Sequence, residues 1–259
     1  VVAWETKGTS TECVVEYGTT EKLGQFVSGS SQTTVEGHLV HHVLLDKLPP
    51  DSRVWYRVKT GDAVHGVHVF RTPALANDEG RQRFVAYSDM QLDNANPLKH
   101  QEIVEQGIVP WATTHAQSDL DAALDFILIP GDLVSTGGNH THWTRDFFGQ
   151  GTKLFRSVPF YATPGNHEQD HPLYFQYVDV PDNGTPGYEE HWYWTDQGNC
   201  RVIGLDTNDG YRIEDQLTWL DGVLKSAAKA EHIDFVFAQF HHPHRSESWT
   251  PGETTFSTE

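Results

Sequence analysis

The 259-residue chain has too few cysteines to be built on them. Cys13 and Cys200 are the only two, which excludes a disulfide framework and a cysteine-built zinc site. Their wide separation in sequence leaves open whether they pair. No stretch of about 18 apolar residues occurs, so the sequence encodes no membrane-spanning helix. Basic residues are scarce as well: 18 Lys and Arg stand against 36 Asp and Glu, a net charge of −18. That balance excludes a nucleic-acid or anionic-membrane binder working through a general basic surface. It suits a secreted, periplasmic or cell-surface protein, whose net charge keeps it soluble. Internal repeats and low-complexity tracts are missing too. What is present is a 37% apolar, 12% aromatic composition, enough for a real core. At about 150 residues per domain, one large domain or two unequal ones are expected.

Residues 1–74 read as a small all-β unit. Short apolar runs (Cys13–Tyr17, Leu39–Leu45, Val54–Val58 and Val64–Phe70) alternate with turn signals at Gly18, Ser28-Gly29-Ser30, Pro49-Pro50-Asp51 and Gly61-Asp62. This spacing predicts a β-sandwich. Thr72-Pro73 and Asn77-Asp78-Glu79-Gly80 mark a linker, and from residue 82 to 259 strands alternate with helices. Strands are expected at Arg83–Tyr87, Phe126–Ile129, Val158–Ala162, Arg201–Leu205 and Phe235–Ala238. Ile103, Val104, Gly107, Ile108 and Trp111 recur at helical spacing, and Leu217, Leu220 and Leu224 mark one face of another helix. Such alternation implies a largely parallel or mixed sheet with helical layers.

The chemistry-bearing residues follow the strands. Ser88-Asp89-Met90-Gln91, Pro130-Gly131-Asp132, Thr163-Pro164-Gly165-Asn166-His167-Glu168 and Phe240-His241-His242-Pro243-His244 each lie just beyond a strand's C-terminal end, the rim where open α/β sheets bind ligands. Two carboxylates, a carboxamide and several imidazoles converging there offer oxygen and nitrogen to a divalent metal.

This ordered set resembles the calcineurin-like metallophosphoesterase superfamily. Leu48-Pro49-Pro50-Asp51 and Trp55-Tyr56 resemble the front domain of its purple acid phosphatase-like branch, a fibronectin type III-like unit. The resemblance implies an N-terminal all-β sandwich followed by an α+β metallophosphoesterase domain, layered α/β/β/α. It implies hydrolysis of phosphate esters by a metal-bridging hydroxide, with a phosphomonoester favoured over a phosphodiester. It also implies two divalent or trivalent ions from among Fe, Zn and Mn. Asp89 would bind the first ion, Asp132 would bridge, and Asn166 and His241 would bind the second, with His242 as the competitor for His241. His167 would touch the phosphoryl group or protonate the leaving oxygen. His242 and His244 would either contact substrate or stand outside the site.

Three departures qualify this. Gln91 replaces the family's usual His, and either ligates weakly through its amide oxygen or only hydrogen-bonds nearby. Ser135 stands where purple enzymes carry Tyr, so the charge-transfer colour is expected to be absent. The family's Gly-His-x-His motif does not occur in these residues. The expectation is therefore a processed or partial chain with that motif downstream, and an uncovered sheet edge that favours self-association. The rival reading is a non-catalytic surface or assembly protein that retains the fold. The histidines of the front unit, His38, His41, His42, His65 and His68, are expected at the surface or at strand edges. Asn139-His140-Thr141 and Asn183-Gly184-Thr185 fit the glycosylation acceptor pattern.

Overall fold

The computed structural model describes residues 1–34, 37–75 and 80–243. The front unit is made of strands β1 (Val2–Thr6), β2 (Cys13–Gly18), β3 (Gln25–Ser28), β4 (Ser30–Thr33), β5 (Leu39–Val43), β6 (Arg53–Thr60), β7 (Ala63–Val64) and β8 (His68–Arg71). One sheet runs β1-β5-β4; the other runs β3-β2-β6, with β7 and β8 both pairing with β6. All of these pairings are antiparallel. Alternation along β2 buries Cys13, Val15 and Tyr17 against Val43, Val54 and Tyr56. The expected strand at Val64–Phe70 is two, broken between Val64 and His68.

Two more sheets follow. Strands β9 (Phe84–Ala86), β10 (Phe126–Pro130) and β11 (Phe160–Thr163) are parallel, in the order β11-β10-β9. In the second, β12 (Tyr193–Gln197) is antiparallel to β13 (Cys200–Gly204), which is parallel to β14 (Phe235–Gln239). β10 is an unbroken apolar run because both of its faces are covered. Phe126 and Leu128 meet Val202 across the gap between the sheets, and Phe84 stacks on Phe126 at 4.9 Å. Ile127 and Ile129 face the other way, into a cluster with Trp143, Phe147 and Leu154 from the helical layer. That layer includes Lys99–Glu102, a π-helical stretch Ile103–Ile108 and Val109–Ala116, where the helical spacing was read.

Several expectations are corrected. β11 starts at Phe160; Pro159 just before it accepts from Ile127 N–H at 2.9 Å but has no N–H of its own to give. On the helix Glu214–Ala227 the buried stripe is Gln216, Val223 and Ala227, while Leu217 and Leu224 are exposed. The front-unit histidines are not all peripheral. His41 is fully buried, bonded to Thr6 Oγ1 at 2.8 Å and to Ser31 Oγ at 2.7 Å. His42, on the opposite face of β5, donates to Gln176 O at 2.8 Å and reaches Asp179 Oδ2 at 3.3 Å, linking the two units. Both cysteines are buried and free, one in each unit. Asn183 spends both ends of its amide on the Trp194 backbone, so of the two acceptor patterns the exposed Asn139 is the accessible one.

Candidate metal centre

The loops after β9, β10, β11 and β14 meet at one rim. Two backbone bonds join the first pair: Asp89 N–H to Gly131 O at 3.4 Å and Met90 N–H to Asp132 O at 2.9 Å. Asp89 and Asp132 both take left-handed backbone, with φ of 60° and 55°. Away from glycine this region is sparsely occupied, Asp and Asn being among the few residues enriched there. The chain thus turns sharply at both carboxylates. Gly165 makes room for the second: a Cβ there would overlap Asp132 Oδ1 and its amide nitrogen.

Donor atoms of Asp89, Asp132 and His241 lie within 4.8 Å of one another. His241 Nδ1 donates to Pro130 O at 2.9 Å. That bond fixes the ring and leaves Nε2 facing Asn166 Oδ1 at 3.1 Å and Asp132 Oδ1 at 3.3 Å. Burial opposes charge on His241, but pairing with Asp132 and the Pro130 carbonyl pushes its pKa up to about 9. Burial likewise opposes ionisation of Asp132, yet His241 and the His167 N–H hold its carboxyl below the usual range. Two carboxylates, an amide oxygen and an imidazole nitrogen around one point make a donor set that fits a borderline divalent or trivalent ion.

Gln91 joins the group through its nitrogen: Nε2 donates to Asp132 Oδ2 at 2.5 Å, so ligation through Oε1 requires the amide to turn over. His167 donates Nδ1–H to Ser135 O at 2.8 Å, and its Nε2 lies 3.9 Å from Asp132 Oδ2. His242 is buried, its ring nitrogen bonded to Thr207 Oγ1 at 3.0 Å, and burial lowers its pKa. His244 lies outside the described residues. Ser135 Oγ turns to Asp146 Oδ2 at 2.7 Å.

Two side chains support the site in roles the sequence does not reveal. Fully buried Glu168 accepts the N–H groups of Asp132, Leu133 and Gly165 at 2.8, 2.8 and 2.7 Å, knitting two site loops together. Its burial pushes the carboxyl pKa up to about 7 against those bonds. Asp206 accepts from His191 Nδ1 at 2.8 Å and from Asn208 Nδ2 at 2.9 Å, and Asn208 reaches Pro164 O at 3.3 Å. Glu168 was visible as part of its motif; Asp206 carried no local signal.

Comparison with known proteins gives the context. Residues 82–258 match the calcineurin-like phosphoesterase family, and residues 1–72 match the purple acid phosphatase N-terminal domain. The chain is 26% identical over 219 residues to acid phosphatase type 7 of Mus musculus, covering 78% of this chain and 45% of that protein. Its fold is similar to a purple acid phosphatase from yellow lupin (Lupinus luteus) seeds, with a TM-score of 0.68 and 17% identity over 91% of this chain and 47% of that one. It is also similar to PhoD, with a TM-score of 0.54 and 14% identity over 78% and 46% of the two chains. The chain spans about half the length of these relatives. With the phosphoesterase match taking in well over half of its residues, the chain belongs to the calcineurin-like phosphoesterase family and carries a purple acid phosphatase N-terminal domain in front.

Proposed function

We propose that the protein is a phosphatase that hydrolyses phosphate monoesters with two divalent or trivalent ions of the Fe, Zn or Mn class. Asp89, Asp132, Asn166 and His241 hold the ions, with Gln91 beside them. The observation that carries this reading is the convergence of Asp89, Asp132 and His241, donor atoms within 4.8 Å. When bound, the ions supply an activated water and neutralise phosphoryl charge.

The chain's own residues do the rest. The Glu168 network fixes Asp132, and the Pro130 carbonyl aims His241 Nε2. His167, with Nδ1–H committed to Ser135 O, presents Nε2 on the cluster side. From there it contacts the phosphoryl group or protonates the leaving oxygen. His242 and His244 are the proposed additional substrate contacts. The front domain supports the monoester preference. The net charge of −18 supports a secreted, periplasmic or cell-surface setting, and no helix among the described residues is long and apolar enough to cross a membrane. β14 is an edge strand among the described residues, with Phe235 and Val236 exposed, which supports self-association.

One observation favours a second reading, a non-catalytic protein that retains the fold: Gln91 offers Asp132 a donor rather than offering an ion a ligand. Metal analysis together with hydrolysis of p-nitrophenyl phosphate and bis(p-nitrophenyl) phosphate separates the two. Two bound ions and faster monoester turnover are expected. A metal-free, inert protein establishes the non-catalytic reading, and faster diester turnover removes the monoester preference.

A further inference from the structure

We propose that Glu5, His38 and His140 form a second metal site, a structural one of the zinc class, which ties the front sheets to the phosphoesterase domain. The three residues come from β1, from the turn before β5 and from the helical turn His140–His142. Yet their donor atoms lie within 4.8 Å of one another. His140 Nε2 is 2.8 Å from Glu5 Oε2, and His38 Nδ1 is 3.1 Å from Glu5 Oε1. Ligands held about 2.0–2.2 Å from a tetrahedral ion lie roughly 3.3 Å apart, so these separations already have the right scale.

Three further observations favour an ion over a plain ion pair. The His38 and His140 rings sit 4.0 Å apart, tilted by 36°, both turned to one carboxylate. A divalent ion satisfies two neutral imidazoles and that carboxylate together. Next, His38 Nδ1 is buried but makes no hydrogen bond among the described residues, although Glu5 Oε1 is close: the contact is not aligned as one. A nitrogen left so is costly unless something else takes its lone pair. Finally, Tyr177 hydroxyl donates to Glu5 Oε2, the kind of outer hydrogen bond that orients a ligating carboxylate. Two nitrogens and one carboxylate oxygen select zinc and its neighbours over calcium or magnesium, and leave a position for water. None of these residues belongs to the Asp132 cluster. Because the ligands come from both units, the ion would act as a cross-link in place of the missing disulfide.

The test starts from the Asp132→Asn/His241→Ala protein, in which the phosphoesterase centre is crippled. Titrated with zinc near neutral pH, it is expected to retain one ion per chain with a dissociation constant below about 10 µM. Zinc should also raise its melting temperature. Adding His38→Ala should weaken binding by more than about tenfold and abolish the rise. His38 is chosen because its side chain is partly exposed, 22% against 7% for His140, and so is the safer truncation. X-ray absorption at the zinc edge on the starting protein gives a measurement free of the third substitution, with two imidazole nitrogens expected. No retained zinc, equal affinity after His38→Ala, or a zinc sphere without imidazole would overturn the proposal.

Discussion

Glu168 Oε2 accepts the backbone N–H of Asp132 at 2.8 Å, in a place where the glutamate side chain has no access to solvent. The same carboxylate takes Leu133 and Gly165 N–H, so removing it strands three buried donors. Glu168→Ala should therefore cost about 3–5 kcal/mol, read as a drop of roughly 10 °C in melting temperature. Glu168→Gln keeps one acceptor oxygen but turns an NH2 towards backbone donors, and should fall in between. A loss below about 1 kcal/mol for the alanine variant would mean that water replaces the carboxylate.

Asp132 and Gln91 touch, but their substitutions should differ in scale. Asp132→Asn removes the charge that pairs with His241, and should reduce phosphatase activity by more than about 100-fold. Gln91→Ala removes one neutral donor, and should cost no more than about tenfold. Steady-state kinetics on metal-saturated proteins compares them. Equal losses would show that Gln91 is itself a ligand.

His167→Ala should leave the metal content unchanged and slow turnover, because the ring is anchored on Ser135 O rather than within the donor cluster. If it protonates the leaving oxygen, the deficit shrinks from alkyl phosphates to p-nitrophenyl phosphate, whose leaving group needs little help. A deficit of about the same size across the series assigns His167 to phosphoryl positioning, and lost metal would contradict the geometry.

His42 and Glu190 should each make stability fall as pH rises through neutrality, against His41, His68, His100 and His142, whose burial lowers their pKa and acts the other way. His42 has acceptors on both ring nitrogens, the Asp179 carboxylate and Gln176 O, and these raise its pKa, the carboxylate most, against burial. Its contribution is full below the unfolded pKa and is lost as pH climbs through the raised value. Glu190 acts in the same direction: burial, reinforced by Asp179 and Asp182, pushes its pKa up to about 7, so the folded state is penalised as pH passes from its unfolded value towards 7. The share of the melting temperature that His42 and Glu190 contribute should be larger at about pH 5.5 than at about pH 8, by a few degrees given partial exposure. Glu190→Gln should narrow the gap. An unchanged gap would clear Glu190 of any part in it.

The legible parts of this fold are those in which burial and sequence coincide. Phe126–Ile129 is apolar on both faces because it is covered on both, and Gly165-Asn166-His167-Glu168 is compact enough to read as one motif. β3 and β4 passed unread because Gln25–Ser28 and Ser30–Thr33 are mostly exposed and carry little alternation. β12 was missed because Trp194, Thr195 and Asp196 are only half-buried, which blurs the apolar signal. Glu5, His38 and His140 could not have been grouped, since nothing in one dimension brings positions 5, 38 and 140 together. The same holds for Asp206 and His191, whose bond depends on the antiparallel register that sets Tyr193 opposite Gly204.

The left-handed turns at Asp89 and Asp132 have an evolutionary corollary. Asparagine is the other side chain at ease with positive φ, at Asp132 it keeps Oδ1 for the His167 N–H, and the genetic code separates it from aspartate by a single transition. If the proposed function holds, descendants of this chain can therefore shed it in one mutational step at either carboxylate without disturbing the backbone. Silenced paralogues should then appear as well-folded Asn-for-Asp proteins rather than as unstable ones.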